Sequence, residues 1–175
     1  LMLPANQDIS ARITTPANLT IGAYHDINDK WSVMAEFGRT YWSSFDTLDI
    51  YGENNGKMST TEERWKDTTF YAIGASYQYN DQWKFRVGFA VDQSAVGQEY
   101  RTPRIPDSDR LWYSSGIEYK YNDDWTFNLG YTYIRADKGK VKLLGYHDGD
   151  NARGSLQADY ENDIHILGFG ASYNF

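Results

Sequence analysis

Side chains able to do acid–base or nucleophilic chemistry are sparse in this sequence and lie far apart. There is no cysteine, which removes thiol nucleophiles, thiolate metal sites and any disulfide framework. Three histidines remain: His25, His147 and His165. A hydrolase needs a nucleophile, a base and an orienting partner that converge. His25 abuts a turn, His147 falls in a long charged loop, and His165 sits near the top of the last strand; no register brings them to a serine. Catalysis finds no support, and no cofactor is implied. Asp148-Gly149-Asp150-Asn151 offers oxygen ligands at short spacing. It lacks the twelve-residue calcium-loop pattern and its closing Glu, so it reads as a solvated acidic loop that at most bridges divalent cations loosely. The formal net charge of -7, with no Lys or Arg cluster, excludes nucleic acid as a partner, because polyphosphate binding rests on clustered cations.

Two other constellations carry chemistry of a binding or structural kind. Lys84, Arg86 and Asp92 recur at even spacing in one segment, and Trp112, Glu118 and Lys120 do so in another. Between them, Arg101-Thr102-Pro103-Arg104-Ile105-Pro106-Asp107-Ser108-Asp109-Arg110 packs two prolines, three arginines and two aspartates into ten residues. That composition reads as a rigid loop foot: Pro103 and Pro106 fix φ, and Asp107 or Asp109 pairs with Arg110 to set where the next strand begins.

The elements that must position these groups are strands. Alternation of period two recurs along the whole chain, with no helical period competing. It predicts strands near 17–25, 31–42, 69–79, 83–93, 110–121, 125–135 and 163–175. Phe85, Val87, Phe89 and Val91 alternate with Lys84, Arg86, Gly88 and Ala90; Trp125, Phe127, Leu129, Tyr131 and Tyr133 alternate with Thr126, Asn128, Gly130 and Thr132. In the last strand Leu167, Phe169, Ala171, Tyr173 and Phe175 form the apolar set. One face is apolar and the other small or polar.

A short motif repeats at the hairpins: Asn28-Asp29-Lys30-Trp31, Asn80-Asp81-Gln82-Trp83 and Asn122-Asp123-Asp124-Trp125. Tyr77-Gln78-Tyr79 and Tyr119-Lys120-Tyr121 precede the last two. Asn and Asp tolerate positive φ and bond their own backbone, which suits a tight turn. Tyr before the turn and Trp after it put amphipathic rings at one level, as a membrane girdle needs. A soluble β-sandwich or a lipocalin-like barrel uses the same turns; the loop lengths favour the membrane. The three turns span a few residues, whereas the connections at about 43–66, 94–109 and 136–162 are long, polar and charged. This is the asymmetry of outer-membrane barrels, short turns periplasmic and long loops outside. The fold expected is therefore all-β, an antiparallel transmembrane β-barrel in the bacterial outer membrane with a periplasmic C-terminus, surrounded by outer-membrane lipid and lipopolysaccharide. Mean hydropathy of -0.69 is compatible, since barrel strands never build a long apolar run. Seven is an odd number, and single-chain bacterial barrels close with an even one. The first strand must then start outside, with sequence missing before Leu1 or supplied by another chain. Leu1-Met2-Leu3-Pro4 shows no basic n-region followed by an apolar h-region, so the chain reads as mature, trimmed or a fragment.

Four stretches resemble the FadL/TodX family of outer-membrane transporters for long-chain fatty acids and other hydrophobic compounds. Ala35 to Phe45, with Thr40-Tyr41-Trp42-Ser43-Ser44-Phe45, is similar to the family's strand ending in T-x-W-S-x-F. Trp65-Lys66-Asp67 through Tyr77, then Trp83 to Ser94, resembles its next hairpin. Ile105-Pro106-Asp107-Ser108-Asp109-Arg110-Leu111-Trp112 resembles its I-P-D-x-D-R-x-W signature, and Gly168 to Phe175 resembles its C-terminal segment. The resemblance implies that residues 1–175 are the C-terminal half of one fourteen-stranded barrel, with the N-terminal hatch and first strands absent from this chain and the N-terminal half as partner. It implies passive transport of hydrophobic small molecules such as long-chain fatty acids. The alternative is a structural or adhesive barrel that serves as a surface or phage receptor.

A transporter of this kind holds an amphiphile briefly in an apolar groove, with a few polar or cationic groups for the carboxylate. On the register above, Arg86, Lys84, Trp112 and Lys120 point inward with Glu36, Asp92 and Glu118. They are the ligand-binding candidates; their structural reading is an internal salt-bridge network, since barrel interiors are polar and charges there pair. Tyr41, Trp42, Phe45, Tyr51 and Tyr100 are expected in an aromatic collar or an external landing site. Arg86 is expected on the face opposite Phe85 and Phe89, because a slip by one residue would put Lys84 and Arg86 into lipid, at about 2–4 kcal/mol per charge near the midplane.

Overall fold

The computed structural model describes residues 8–53, 56–144 and 154–175. Its centre is one antiparallel sheet of seven strands: β2 (Asn18–Asp26), β3 (Trp31–Thr40), β6 (Thr68–Gln78), β7 (Trp83–Asp92), β8 (Arg110–Lys120), β9 (Trp125–Ala136) and β12 (Asp163–Tyr173). They lie side by side in chain order. These are the seven predicted strands, displaced by no more than two residues at any end. The sheet is open among the described residues, with β2 and β12 as its edges, so closure into a barrel is not part of what this chain does alone.

Five short strands that the alternation did not predict lie in the long connections. β1 (Ile9–Ala11), β4 (Thr47–Gly52) and β5 (Lys57–Glu62) form a small sheet in the order β1-β4-β5; β10 (Gly139–Leu143) and β11 (Leu156–Tyr160) form a hairpin. The long loops are therefore an ordered tier. Burial concentrates there: Phe45, Ala95, Val96, Val141 and Leu143 are buried, together with Arg101 and Thr102. Phe45 packs edge-on against Trp65 at 5.0 Å, and Trp42 meets the same ring at 4.8 Å. Two of the expected collar residues, Trp42 and Phe45, thus belong to a core beneath a loop.

The membrane character of the large sheet follows from its register. Every pairing between neighbouring strands joins residues of the same parity, so odd-numbered side chains share one face and even-numbered ones the other. The odd face carries Val33, Ile73, Phe85, Val87, Ile117, Leu129, Leu167 and Phe169. These are exposed, Val87 by 62% and Leu167 and Phe169 by 74% each. An apolar face of this extent is not left in water. Near the short turns it ends in a row of rings, where Trp31 meets Tyr77 at 4.6 Å, Trp83 meets Tyr119 at 4.4 Å and Trp125 meets Tyr173 at 4.9 Å. Toward the long loops a second band runs through Phe37 and Tyr71 at 5.4 Å and through Phe89 and Tyr113 at 5.4 Å. Two aromatic bands enclosing an aliphatic zone match the two interfaces of a bilayer. No described helix is long and apolar enough to cross a membrane; the crossing elements are strands.

The three turns repeat down to single atoms. Asn28 Oδ1 accepts the Lys30 and Trp31 amides at 2.9 and 3.0 Å, Asn80 Oδ1 those of Gln82 and Trp83 at 3.0 and 2.9 Å, and Asn122 Oδ1 those of Asp124 and Trp125 at 3.1 and 2.7 Å. Positive φ plays no part, contrary to expectation: among described non-glycine residues only Arg64 has it, at 41°. The asparagine acts as an acceptor for otherwise unpaired turn amides. Replacing Asn80 or Asn122 by Ala should lower the stability of the full-length protein by about 1 kcal/mol per turn, read as an earlier heat-induced mobility shift on gels. Asp should retain most of it. Gly should fail to rescue, and a Gly as stable as Asn would refute the acceptor role.

Candidate functional site

The even face is the counterpart of the apolar one and holds the polar candidates. Its centre is a floor without side chains: Gly168, Gly130 and Gly116 stand directly opposite one another on β12, β9 and β8, and Gly88 opposes Gly74 on β7 and β6. The result is a groove of about 860 Å³ crossing the sheet, bordered by Tyr24, Met34, Glu36, Arg86 and Asn128. Such a volume suits a small apolar or amphipathic molecule. The glycines are spatial requirements to different degrees. A Cβ on Gly130 or Gly168 would meet nothing within 4 Å, whereas one on Gly74 would approach Met34 Cγ at 3.1 Å and the Val87 carbonyl at 3.2 Å.

Arg86 lies on this face, opposite to Phe85 and Phe89, as expected from the register. Its Nη2 pairs with Glu118 Oε2, and its Nη1 donates to Asn128 Oδ1 at 3.3 Å. Three neighbouring strands thus contribute to one polar cluster beside the groove. Lys84 stands on the same face across from Glu118 and forms no ion pair among the described residues. Glu36, bordering the groove from β3, forms none either. Lys120 is drawn to the turn, where its Nζ meets Asp123 at 2.8 Å. Trp112 lies at the other end of β8, opposite Ala90 and Ile134, with its indole nitrogen buried and directed to the Asp92 carboxylate outside ideal hydrogen-bond geometry. The structure therefore brings Lys84, Arg86 and Lys120 to one end of the even face, with Lys120 held by Asp123, and sets Trp112 apart from them at the other end of β8.

At the long-loop end the Arg101–Arg110 segment forms a tie between loops. Pro103 occupies the second position of a turn closed by the Ile105 amide on the Thr102 carbonyl at 3.1 Å. Arg110 Nη2 meets Asp92 Oδ2 at 2.9 Å and its Nη1 meets Asp107 Oδ1 at 3.3 Å. Asp109 takes a different partner, accepting the Ser94 amide at 2.7 Å, while the Ser94 hydroxyl donates to Asp107 at 2.8 Å. The Pro106 carbonyl accepts Asn162 Nδ2 at 3.3 Å. Arg101 is buried and reaches three carbonyls: Asp107 from Nε at 2.6 Å, Lys140 from Nη1 at 2.8 Å and Val96 from Nη2 at 3.2 Å. Sequence reasoning missed Ser94 and the reach of Arg101 to β10, because both depend on loop packing that no local pattern encodes.

Further out, two loop carboxylates are held below the usual range, Asp49 by hydrogen bonds from Lys57 and Thr60 and Asp67 chiefly by the Ser43 amide. Their stabilisation is present above the unfolded pKa and disappears as pH falls through the lowered value. Among the described residues no group of His, Asp and Glu is placed to hold a metal. His165 lies on the odd face, where its Nδ1 meets the Tyr131 hydroxyl at 2.8 Å. His147 and the Asp148–Asn151 stretch lie outside the described residues.

A two-faced antiparallel sheet with aromatic bands on one face and a polar groove on the other is the architecture of an outer-membrane β-protein. The chain belongs to the family described as outer membrane protein transport protein (OMPP1/FadL/TodX), whose profile matches residues 2–175. It is 29% identical over 171 residues to the long-chain fatty acid transport protein of Escherichia coli O6:H1, covering 98% of this chain and 36% of that protein. Outer membrane protein P1 of Haemophilus influenzae is 31% identical over 166 residues, 93% of this chain and 36% of its own length. Among solved structures, a FadL homologue of Pseudomonas aeruginosa superposes with a TM-score of 0.86 at 28% identity, covering 94% of this chain and 37% of that one. The Pseudomonas putida toluene transporter TodX does so with a TM-score of 0.65 at 25% identity, covering 99% and 38%. The chain spans little more than a third of the length of these relatives.

Arg101 gives a direct test of the loop tier. Lys in its place reaches one carbonyl at a time, so Arg101→Lys in the full-length protein should speed protease cleavage within 94–109 and 137–162 several-fold. The heat-modifiability of the sheet should change little. Unchanged cleavage would show that the tie is dispensable.

Proposed function

We propose that this chain forms half the wall of a fourteen-stranded outer-membrane barrel that lets long-chain fatty acids or other hydrophobic compounds cross passively. Residues 1–175 are then the C-terminal half of a single barrel domain, and the N-terminal half, with its hatch, supplies the strands that pair with β2 and β12. The observation carrying the reading is the division of the sheet into a lipid-compatible odd face and a grooved, polar even face. Family membership and the names of the relatives support it. Free edges of 9 and 11 residues in hydrocarbon would leave rows of unsatisfied amides and carbonyls, each costing several kcal/mol; pairing with further strands removes that cost. The C-terminus is periplasmic in this reading, and no catalytic step is involved. Lipopolysaccharide and phospholipid contact the odd face.

In the groove, the glycine floor receives the apolar chain, and Lys84 with Arg86 sets the preference for a carboxylate. Trp112 and Lys120 act at the two ends. Arg86 is shared with Glu118, which keeps its attraction weak enough for release; Lys84 contributes a second charge beside it, across the strand from the same Glu118.

Labelled oleate uptake by cells carrying the full-length protein should exceed that of a deletion strain, and equal uptake would favour a structural or adhesive barrel. Gly130→Trp should reduce uptake severalfold at unchanged folding, because its Cβ has room and its ring fills the groove. Arg86→Ala should weaken oleate binding while leaving toluene untouched. If both ligands respond alike together with a loss of thermal stability, Arg86 is structural only.

A further inference from the structure

The odd face carries a feature that neither lumenal transport nor a uniform lipid contact requires. Between β7, β8, β9 and β12 lies a cleft of about 550 Å³, floored at Ser115 and walled by Tyr113, Tyr131, Tyr133 and His165. It exists because a small residue sits in register between Val87 and Tyr131 while its diagonal neighbours are large. The walls are fixed by one another. Tyr131 and His165 share a hydrogen bond of 2.8 Å; the Tyr133 ring lies 5.0 Å from His165 and 6.2 Å from Tyr113, and its hydroxyl donates to Asp163 at 3.1 Å. Two residues beyond Tyr133 on the same face stands Arg135. It is exposed and forms no ion pair among the described residues, although Asp163 is its cross-strand neighbour.

The order along the strand direction is thus aliphatic wall, hydroxyl-edged aromatic cleft, then cation. Arg135 lies about 7 Å beyond the Tyr133 ring by strand rise, the level at which a headgroup follows its acyl chain. A guanidinium there suits a phosphate, which it engages bidentately. On the orientation proposed above, this level is the outer leaflet, whose anionic amphiphile is the phosphorylated diglucosamine of lipid A. We propose that the cleft is a docking site for one lipid A anchor of lipopolysaccharide, with an acyl chain lying over Ser115 and a phosphate on Arg135. The inference rests on that orientation but not on the transport activity.

The test uses the full-length protein, purified in mild detergent and titrated with bisphosphorylated lipid A, dephosphorylated lipid A and phosphatidylglycerol under native mass spectrometry. Wild type should retain one bisphosphorylated lipid A in preference to the other two. Arg135→Gln should weaken it about fivefold, the effect of roughly one surface cation, and leave dephosphorylated lipid A unchanged. Ser115→Phe, which fills the cleft, should weaken both; if that variant folds poorly, Arg135→Gln decides alone. Equal retention by wild type and Arg135→Gln, or phosphatidylglycerol held as tightly as lipid A, would reduce the feature to unspecific lipid contact and overturn the proposal. An epitope inserted after Gly149 should be reached by antibody on intact cells. An epitope reached only after lysis would overturn the orientation, and with it the site, whatever the uptake of oleate.

Discussion

Register is the constraint from which the rest of this sheet follows. With a side-chain period of two, displacement of one strand by a single residue carries its whole apolar set to the other face. Here seven strands agree on parity without a bulge in the large sheet, and that agreement is enforced at the short-turn end. Each asparagine satisfies two turn amides, and each following tryptophan meets a tyrosine on the neighbouring strand. The same spacing recurs between hairpins, where Gln78, Lys120 and Asn174 donate their amides to the carbonyls of Lys30, Gln82 and Asp124 at 2.8, 2.8 and 2.9 Å. Tyr173-Asn174-Phe175 therefore takes the place in the last strand that Tyr77-Gln78-Tyr79 and Tyr119-Lys120-Tyr121 take in the hairpins before it.

Parity also determines which charges can meet. Arg86 finds Glu118 and Asn128 because β7, β8 and β9 present even residues together, and the adjacent glycines leave room for the guanidinium to extend along the floor. Lys120, on the same face, is lost to Asp123 because it ends its strand, where a turn carboxylate three residues on is closer than anything across the groove. Whether a charge on this face is held by the protein thus depends on which carboxylate lies within its reach as much as on its face.

The large sheet was legible because its physics is local: alternation, Asn-initiated turns and ring placement are all written within ten residues. That an aspartate of the loop foot pairs with Arg110 was legible for the same reason, while the choice of Asp107 over Asp109 was not, because it is made by Ser94 taking Asp109 from another part of the loop. The loop tier was not. Gly139–Leu143 alternates Val141 and Leu143 with Lys140 and Lys142, yet it is short, and Arg101 reaches it from another loop that no local pattern connects to it. Phe45 read as an exposed collar residue since nothing in its neighbourhood announces that Trp65, twenty residues on, closes over it. The Asn turns were placed correctly but for half the right reason, because acceptor geometry and tolerance of positive φ favour the same residue and composition cannot separate them.

The two tiers obtain their order from different sources. The sheet has almost no interior of its own; its odd face is complete only when hydrocarbon covers it, and its edges only when other strands pair with them. The loop tier has an interior, with Phe45, Val96, Val141 and Leu143 buried and a guanidinium spanning three carbonyls. Its order comes from packing and hydrogen bonds within the tier itself. The groove differs from this tier in kind: its floor is glycine and its polar edge is limited to residues such as Glu36, Arg86 and Asn128, so contact along it is broad and shallow. A surface of that kind holds an apolar molecule by extended contact rather than by a few strong hydrogen bonds, since each glycine removes a side chain that could enclose it.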